Sequence, residues 1–235
     1  MPGTTMALPA PSAMPTLSEL LKAETAEHHR HAERRQLQRD LAAGRLAPDA
    51  YAAWLGQMLL LHRALALAVQ GAVPHCAALA AVIRAPEVHV AHLEADLRAV
   101  GVEPAAVEPI PAIARAATEL RACAADAPLA LLGHDYVLEG STNGNRFIAR
   151  AVARTLGEGA LRYLDPYGET QPSEWSGYRA RLDALALDAA ARATVVAGAR
   201  AMFDRVAELS VELGERFGHA GPDGDATSGP PSGPR

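Results

Sequence analysis

Residues 136–148 read YVLEGSTNGNRFI, inside a helix-forming run that covers residues 129–156. Gly140 and Gly144 stand in the middle of this run, and each costs an exposed helix interior about 1 kcal/mol relative to alanine. They lie one turn apart on the same face, where the backbone is open to close approach. Three alternatives explain such a face. Another helix packs on it, or Gly140 ends one helix and Ser141 or Thr142 caps the next. In the third, a flat ligand lies against the backbone. The stretch by itself leaves all three alternatives open.

The composition indicates one globular domain that is rich in helix. The chain has 235 residues, of which 49% are hydrophobic and 4% aromatic, so its core is mostly small and aliphatic, which favours helices over strands. The net charge of −5 argues against a nucleic-acid partner. We expect no membrane span, because no apolar stretch looks long enough, and no secretory signal. The expected compartment is the cytoplasm.

The sequence contains none of the common cysteine or glycine motifs for cofactors. Cys76 and Cys123 form no metal or redox motif, and we expect them to be buried thiols in a reducing cytoplasm. The GxGxxG and P-loop patterns of nucleotide sites are absent. Any redox chemistry therefore needs electrons from outside the chain.

Apolar residues recur at helical spacing through the middle of the chain, and the two ends of the sequence differ from it in composition. Residues 1–16 are rich in Pro, Thr, Ala and Met, and residues 218–235 are rich in Gly, Pro, Ser and Asp, so we expect both tails to be disordered. Residues 17–217 are expected to form a single all-α domain, because apolar residues recur there at helical spacing and nothing resembles a strand. The helix over residues 49–70 is apolar on almost every side and is predicted to be central to the core. The last helix is predicted over residues 188–217.

The first predicted helix carries the side chains that point most clearly to chemistry. It runs from Leu17 to at least His31, and its apolar stripe continues into His28 and His29. Lys22, the only lysine among 22 basic residues, precedes His29 by two turns, about 10 Å along the axis. This pair suits a ligand whose centre is held by His29 and whose charged edge meets Lys22. A histidine with a structural role at the edge of the core is the alternative.

Three stretches together resemble the heme oxygenase family. Residues 17–33, LSELLKAETAEHHRHAE, are similar to the family's proximal helix, in which a Leu-Ser-Glu opening, a lysine and a His-x-x-Ala-Glu end recur at this spacing. Residues 136–146 resemble the distal helix, whose glycines lie over the heme, in a form typical of the bacterial branch. Residues 178–181, Tyr-Arg-Ala-Arg, resemble a segment near the heme propionates.

The resemblance implies a multi-helix fold that holds heme between a proximal and a distal helix. His29 falls on the position of the axial ligand to the heme iron, and Lys22 and Arg179 fall on contacts to the propionates. The other implied site residues are Tyr136 and Tyr178 as heme contacts, and Gly140, Ser141 and Gly144 as the distal residues where dioxygen reacts.

The implied reaction is oxidative cleavage of heme at a meso carbon to biliverdin, ferrous iron and carbon monoxide. Heme is then both cofactor and substrate, dioxygen is consumed, and a ferredoxin or flavin reductase supplies the electrons. A bacteriophytochrome is one acceptor of the bilin that the resemblance suggests. Four arginines near the heme edge are expected to dock the electron donor: Arg30, Arg34, Arg146 and Arg150.

Two positions depart from the family pattern and motivate a rival hypothesis. Asn145 follows the second glycine, where the family commonly has another glycine, and Ser141 stands where many members carry an aspartate that orders distal water. The rival is a heme carrier or sensor that does not degrade heme. A third hypothesis, a helical thiamin-pyrimidine hydrolase of related architecture, requires a nucleophilic cysteine, and neither Cys76 nor Cys123 has a supporting motif.

Overall fold

In the computed structural model, which describes residues 14–85 and 87–219, the chain is all-α, as predicted. Its helices are α1 (Leu17–Glu24), α2 (Ala26–Glu33), α3 (Gln36–Ala42), α4 (Pro48–Ala72), α5 (Ala77–Val82), α6 (Val88–Ala99), α7 (Pro111–Asp126), α8 (Ala130–Leu156), α9 (Gln171–Asp183) and α10 (Ala189–Phe217). No strand occurs within the described ranges. Residues 1–13 and 220–235 lie outside them, and most of the two tails predicted to be disordered falls there.

Helix α4 is central to the core, as its sequence predicts. Tyr51, Trp54 and Leu59 are all buried on it, and it packs against α6, α7 and α8. Over Pro48–His75 it is also long and apolar enough to cross a membrane, with a mean hydropathy of 1.4, so the expectation that no stretch qualifies was wrong. Because 67% of that window is buried inside the protein, the apolar character is that of a core helix.

The first predicted helix is in fact two helices, α1 and α2, with a break at Thr25. The Thr25 hydroxyl donates a hydrogen bond to the carbonyl oxygen of Leu21 at 2.7 Å, and the backbone of Thr25 leaves the helical region at φ −109° and ψ 0°. A hydroxyl that bonds back by one turn bends a helix. Lys22 and His29 therefore lie on different helices and do not share the single straight axis that the sequence suggested.

Helix α8 runs without interruption through both glycines of the opening stretch. The alternative in which Gly140 ends a helix is thereby excluded. Near its start, α8 crosses α10 at very short range: a Cβ on Gly133 would lie 1.9 Å from the carbonyl oxygen of Val195, and a Cβ on Gly198 would lie 2.1 Å from that of Ala130. Only glycine lets the two backbones meet at this crossing.

Helix α10 supports both parts of the predicted site. It packs against α1 and α2 on the one hand and against α8 on the other. Arg200 of α10 donates from Nε to the carbonyl oxygen of Glu24 at 3.0 Å, and Asp188 caps the start of α10 by accepting from the backbone N–H of Ala191 at 2.8 Å. The placement of α2 relative to α8 is therefore set largely through α10.

Candidate functional site

His29 lies on α2 with an accessible imidazole. Its side chain is 55% exposed, and Nε2 lies 3.4 Å from Oε1 of Glu33, one turn further along the helix. The ring meets Phe203 of α10 edge-on, with 5.3 Å between the ring centroids. The described residues offer no hydrogen-bond partner to Nδ1. An imidazole that is held by a carboxylate at one nitrogen and is open at the other is the usual arrangement of a metal ligand.

Lys22 lies on α1, exposed, and it forms no hydrogen bond or ion pair with the part of the chain that the structure describes. Its neighbour Glu24 is instead paired with Arg200 of α10. The ammonium group of Lys22 is therefore available to an anionic group of a ligand.

The open face of α8 consists of Gly144 and Phe147. A Cβ built on Gly144 would meet no atom within 4 Å, and Phe147, one turn further on, is 65% exposed. Gly140 is more closely covered, because a Cβ there would lie 3.2 Å from Cη2 of Trp175 on α9. The opening stretch thus has one covered glycine and one open glycine.

Trp175 brings together three of the predicted heme contacts. Its ring lies 5.6 Å from that of Tyr136 and stacks on that of Tyr178 at 5.5 Å, and the guanidinium of Arg179 lies over it at 5.9 Å. Arg179 is exposed, whereas Tyr178 is buried and its hydroxyl donates to Oδ2 of Asp135 at 2.7 Å. Tyr136 and Arg179 therefore both contact the Trp175 ring, while the hydroxyl of Tyr178 is bound to Asp135 instead.

Ser141 belongs to a chain of polar side chains. Its hydroxyl donates to the carbonyl oxygen of Leu138 at 2.7 Å, and Nδ2 of Asn145 lies 3.4 Å from its Oγ. Ser141 also lies close enough to Tyr163 to lower the pKa of that phenol against the effect of burial, and the Tyr163 hydroxyl lies 3.0 Å from Nε2 of His62. The two positions that depart from the family pattern are thus linked to each other, and neither carries a charge.

The two residues farthest from Asn145 in this group of polar side chains, His62 and Tyr163, are uncharged. Burial lowers the pKa of His62 well below its ordinary value, and the nearby ring of His89 lowers it further. Burial raises the pKa of Tyr163 above its ordinary value. A neutral imidazole and a neutral phenol can hold and pass a proton without placing a charge beside α8.

Within the described ranges, no hydrogen bond, ion pair or ring contact joins His29 to the glycine turn of α8. The two groups attach separately to α10, one through Phe203 and the other through the crossing at Gly133. We call the space between α2 and the Gly140–Phe147 face of α8 the interhelical slot. An accessible imidazole on α2 and an uncovered glycine with an exposed aromatic ring on α8 are the kinds of group that can contact a flat apolar ligand with a metal at its centre, such as heme.

The sequence analysis missed a second group of polar residues, on another face of α8. Asp135 and Glu139 lie one turn apart on α8, and Asp135 is about 180° around the helix from Gly144. Nε2 of His89 lies 2.9 Å from Oε2 of Glu139, and the Tyr167 hydroxyl donates to the same oxygen at 3.2 Å. The one signal in the sequence is the pair of acids at i, i+4 spacing, since His89 and Tyr167 are distant along the chain.

The two cysteines differ from the expectation that they are buried. Both are free and partly exposed. The Sγ of Cys123 lies 3.9 Å from Nε2 of His134, but burial raises the pKa of the thiol and lowers that of His134 to about 4. This pair therefore does not form the thiolate and imidazolium of an activated nucleophile, and the hydrolase hypothesis gains no support from it.

Comparisons with known proteins agree with this fold. A family model described as heme oxygenase matches residues 15–212. A heme oxygenase of Xanthomonas campestris pv. campestris (strain 8004) is 35% identical over 113 residues, which are 47% of this chain and 60% of that protein. The match to this relative therefore spans less than two thirds of its length.

Two solved structures share the arrangement of helices. The heme oxygenase of Leptospira interrogans superposes with a TM-score of 0.76 at 23% identity, over 84% of this chain and all (100%) of that one. Heme oxygenase-1 of the cyanobacterium Synechocystis sp., solved in complex with heme, gives a TM-score of 0.77 at 20% identity, over 86% and 94% of the two chains. At these identities the likeness shows a common fold.

Proposed function

Because this chain belongs to the heme oxygenase family, we propose that it cleaves heme at a meso carbon to biliverdin, ferrous iron and carbon monoxide. The observation that carries the proposal is the accessible imidazole of His29, with Glu33 at one of its nitrogens, on a helix that shares the support of α10 with the open turn at Gly144. Bound heme supplies the iron that activates dioxygen, and its porphyrin is the substrate.

In this proposal His29 holds the iron through a neutral imidazole. Glu33, whose Oε1 lies 3.4 Å from Nε2, would accept the N–H of the other ring nitrogen in the heme complex, which would fix the orientation of the ring and raise its basicity. Lys22 and Arg179 attract the two propionates and so set the rotation of the heme within the interhelical slot. This rotation decides which meso edge lies against the glycine turn.

Protons reach the glycine turn by way of Ser141. Its hydroxyl donates to the carbonyl oxygen of Leu138 and lies near Tyr163, whose own hydroxyl is held by His62. These groups would position a water or a proton next to the bare backbone, where the open turn at Gly144 leaves room for dioxygen. Because the side chains of Ser141, Tyr163 and His62 are uncharged, proton delivery in this proposal depends on hydroxyl groups. Many members of the family use a carboxylate for the same purpose.

Electrons come from an external donor, for which a ferredoxin or a flavin reductase is our proposal. Arg34 and Arg150 are exposed near the slot, Arg30 is paired with Glu27, and Arg146 is half-buried. If these arginines dock an acidic donor, turnover falls as salt is added while the affinity for hemin stays the same. Turnover that does not respond to salt would rule out this docking surface.

The cytoplasm is the proposed compartment, and a bacteriophytochrome is the proposed acceptor of the bilin. Two free cysteines suit a reducing environment. Transfer of the product to an added apo-bacteriophytochrome, followed as covalent attachment of the chromophore, tests the second proposal.

The decisive experiment combines hemin, a reductant and dioxygen, with spectroscopic identification of the bilin product. His29→Ala should keep the helical content and melting temperature, because the side chain is exposed, but it should lose the spectrum of axially ligated heme and at least about tenfold in turnover. His31→Ala is the matched control, since His31 is exposed on the same helix. An unchanged heme spectrum and rate in His29→Ala would overturn the assignment.

A second candidate function, a heme carrier or sensor, rests on Ser141 and Asn145. The uncharged pair leaves no carboxylate at the position directly after the first glycine of the turn, where Ser141 stands. The same assay separates the two functions, because a carrier would keep a stable Soret band and form no bilin after reductant and dioxygen are added.

A further inference from the structure

A cavity of about 180 Å³ lies on the side of α8 away from Gly144. Its polar lining consists mainly of His62, His89, Asp135, Glu139, Tyr167 and Tyr178. None of its lining residues belongs to α1, α2 or α10, so it is separate from the interhelical slot. Its volume is below the roughly 300–1,000 Å³ of pockets for drug-sized ligands, which implies a compact occupant.

Two carboxyl groups dominate this lining. Asp135 and Glu139 are one turn apart on α8, and Asp135 keeps some accessible surface deep in the protein because it faces the cavity. Oδ2 of Asp135 accepts from Tyr178, and Oε2 of Glu139 accepts from Tyr167 and lies 2.9 Å from Nε2 of His89. Burial, with a smaller contribution from the charge of Glu139, raises the pKa of Asp135 to about 7, although the hydrogen bond from Tyr178 opposes the rise.

The carboxyl pair lacks a full counter-charge. Within residues 14–85 and 87–219, no arginine or lysine forms an ion pair with Asp135 or Glu139. Arg181 lines the cavity and its charge favours the ionised form of Asp135, but it makes no direct ion pair with either acid, and its Nε donates to the carbonyl oxygen of Val82 at 2.9 Å. His89 also lines the cavity, and its Nδ1 is buried without a partner. Two partly buried acids, of which only Glu139 has a direct imidazole partner, can accept one more positive charge between them.

The remaining charges of the lining do not remove this imbalance. Glu174, Arg84 and Arg181 complete the charged groups of the cavity, so carboxyl groups outnumber guanidinium groups by one. The walls are aromatic: the rings of His89 and Tyr167 lie 6.0 Å apart, and those of His62 and His89 lie 5.1 Å apart. Aromatic walls around paired carboxyl groups favour a flat cation, which can stack and donate N–H bonds at its edge.

We propose that this cavity binds a compact planar monocation, of the amidinium or protonated aminoheterocycle class, between the carboxyl groups of Asp135 and Glu139. The aromatic rings of the lining contact the faces of the ligand, and its N–H groups donate to the two acids. The site is independent of heme, and it goes beyond the proposed function.

Benzamidine and its uncharged isostere benzamide provide the test, by isothermal titration calorimetry on the full chain without heme. Benzamidine should bind with a Kd below about 1 mM, and benzamide should bind at least about tenfold more weakly. Asp135→Asn and Glu139→Gln should each weaken benzamidine binding at least about tenfold. Glu119→Gln on α7, outside the cavity, is the control and should bind as the unmodified chain does.

The affinity for benzamidine should also rise about tenfold between pH 6 and pH 8, because Asp135 ionises in that interval while benzamidine stays charged. The groups that share its surroundings are Glu139 on α8, His62 on α4, His89 on α6, Tyr178 and Arg181 on α9, and Tyr167 before it. Asp135→Asn should abolish the pH dependence. Glu139→Gln, in which Asp135 is retained, should keep a pH dependence.

Equal binding of benzamide, no binding of benzamidine, or full binding to both acid variants would each overturn the inference. Circular dichroism of each variant confirms that it is folded before the titration is interpreted. His29→Ala should leave benzamidine binding unchanged. Because no heme enters the experiment, loss of heme cleavage and loss of benzamidine binding are separate results.

Discussion

Gly133 and Gly144 lie three turns apart on α8 and meet opposite surroundings. A Cβ on Gly133 would lie 1.9 Å from the carbonyl oxygen of Val195 and 2.5 Å from the backbone nitrogen of Ala199, whereas a Cβ on Gly144 would meet nothing within 4 Å. Each glycine costs the helix about 1 kcal/mol relative to alanine. At Gly133 the close packing of α10 offsets this cost, but at Gly144 nothing in the described part of the chain does.

This difference separates a glycine that the packing of two helices requires from a glycine that the packing leaves uncovered, as the proposed distal contact needs. We call Ala130–Val137 the closed half of α8 and Gly140–Phe147 its open half. The closed half has backbone packed on backbone, whereas in the open half Gly144 and Phe147 are exposed and, of the two glycines, only Gly140 is covered, by Trp175. Substitutions in the two halves should therefore act on different measurements.

The largest effect is expected from Gly133→Ala. The added methyl group has no room, so α8 and α10 must move apart, and the free energy of unfolding should fall by about 3 kcal/mol or more. Urea unfolding followed by circular dichroism measures this loss. A stability equal to that of the unmodified chain would show that the crossing is looser than the structure indicates.

The next effect concerns His134, a buried residue of the closed half whose pKa burial lowers from 6.5 to about 4. Below about pH 6.5 His134 binds a proton in the unfolded chain, whereas the buried imidazole of the folded chain stays neutral until the pH approaches 4. The free energy of unfolding therefore falls as the pH falls from about 6.5 towards 4. The loss at pH 5 relative to pH 7.5 should be roughly 2 kcal/mol. Urea unfolding at the two pH values should show a smaller loss in His134→Gln, and an identical loss would contradict the assignment.

In the open half, Gly144→Leu should leave the fold intact but fill the space against which a flat ligand would lie. Affinity for hemin should fall at least tenfold, equivalent to about 1.4 kcal/mol. Gly71→Leu is the matched control, because Gly71 is also a helical glycine with nothing within 4 Å of a built Cβ and lies on α4. Equal hemin affinities for the two variants would remove Gly144 from the proposed site.

The smallest effect has the opposite sign to the first. Gly144→Ala should raise the free energy of unfolding by up to about 1 kcal/mol, because alanine favours the helix and its methyl group meets no atom. Thermal unfolding of Gly144→Ala beside Gly133→Ala gives the comparison directly. A destabilised Gly144→Ala would mean that the open half is packed.

Much of the fold could be predicted from the sequence, because the residues that begin and end the helices are recognisable locally. The bounds predicted for α4, α8 and α10 agree with the structure to within two residues, since Pro48, Gly157 and Asp188 mark their ends. The break at Thr25 was not predicted, because no glycine or proline stands there. It depends on the Thr25 hydroxyl, which donates to the carbonyl oxygen of Leu21. The glycine and hydroxyl pattern at the opening stretch fits a helix end as well as a helix interior, so only the packing of the whole chain decides it.

The candidate site was predictable in part, through resemblance more than through physics. His29 and Lys22 are assigned by similarity, and the structure adds Glu33 and Phe203 around the imidazole. The second cavity could not be predicted, because its lining converges from α4, α6, α8 and α9. Local periodicity places each of those side chains on its own helix but contains no information on which helices meet.

The role of α10 as a common support has a consequence for biosynthesis. The bond from Arg200 to Glu24 joins residues that are 176 positions apart. At about 5–20 residues per second, α2 leaves the ribosome roughly 9–35 s before its support on α10 exists. During translation the nascent chain therefore presents His29 without the ring of Phe203 beside it, and a site that needs both residues is incomplete until α10 has been synthesised and has docked.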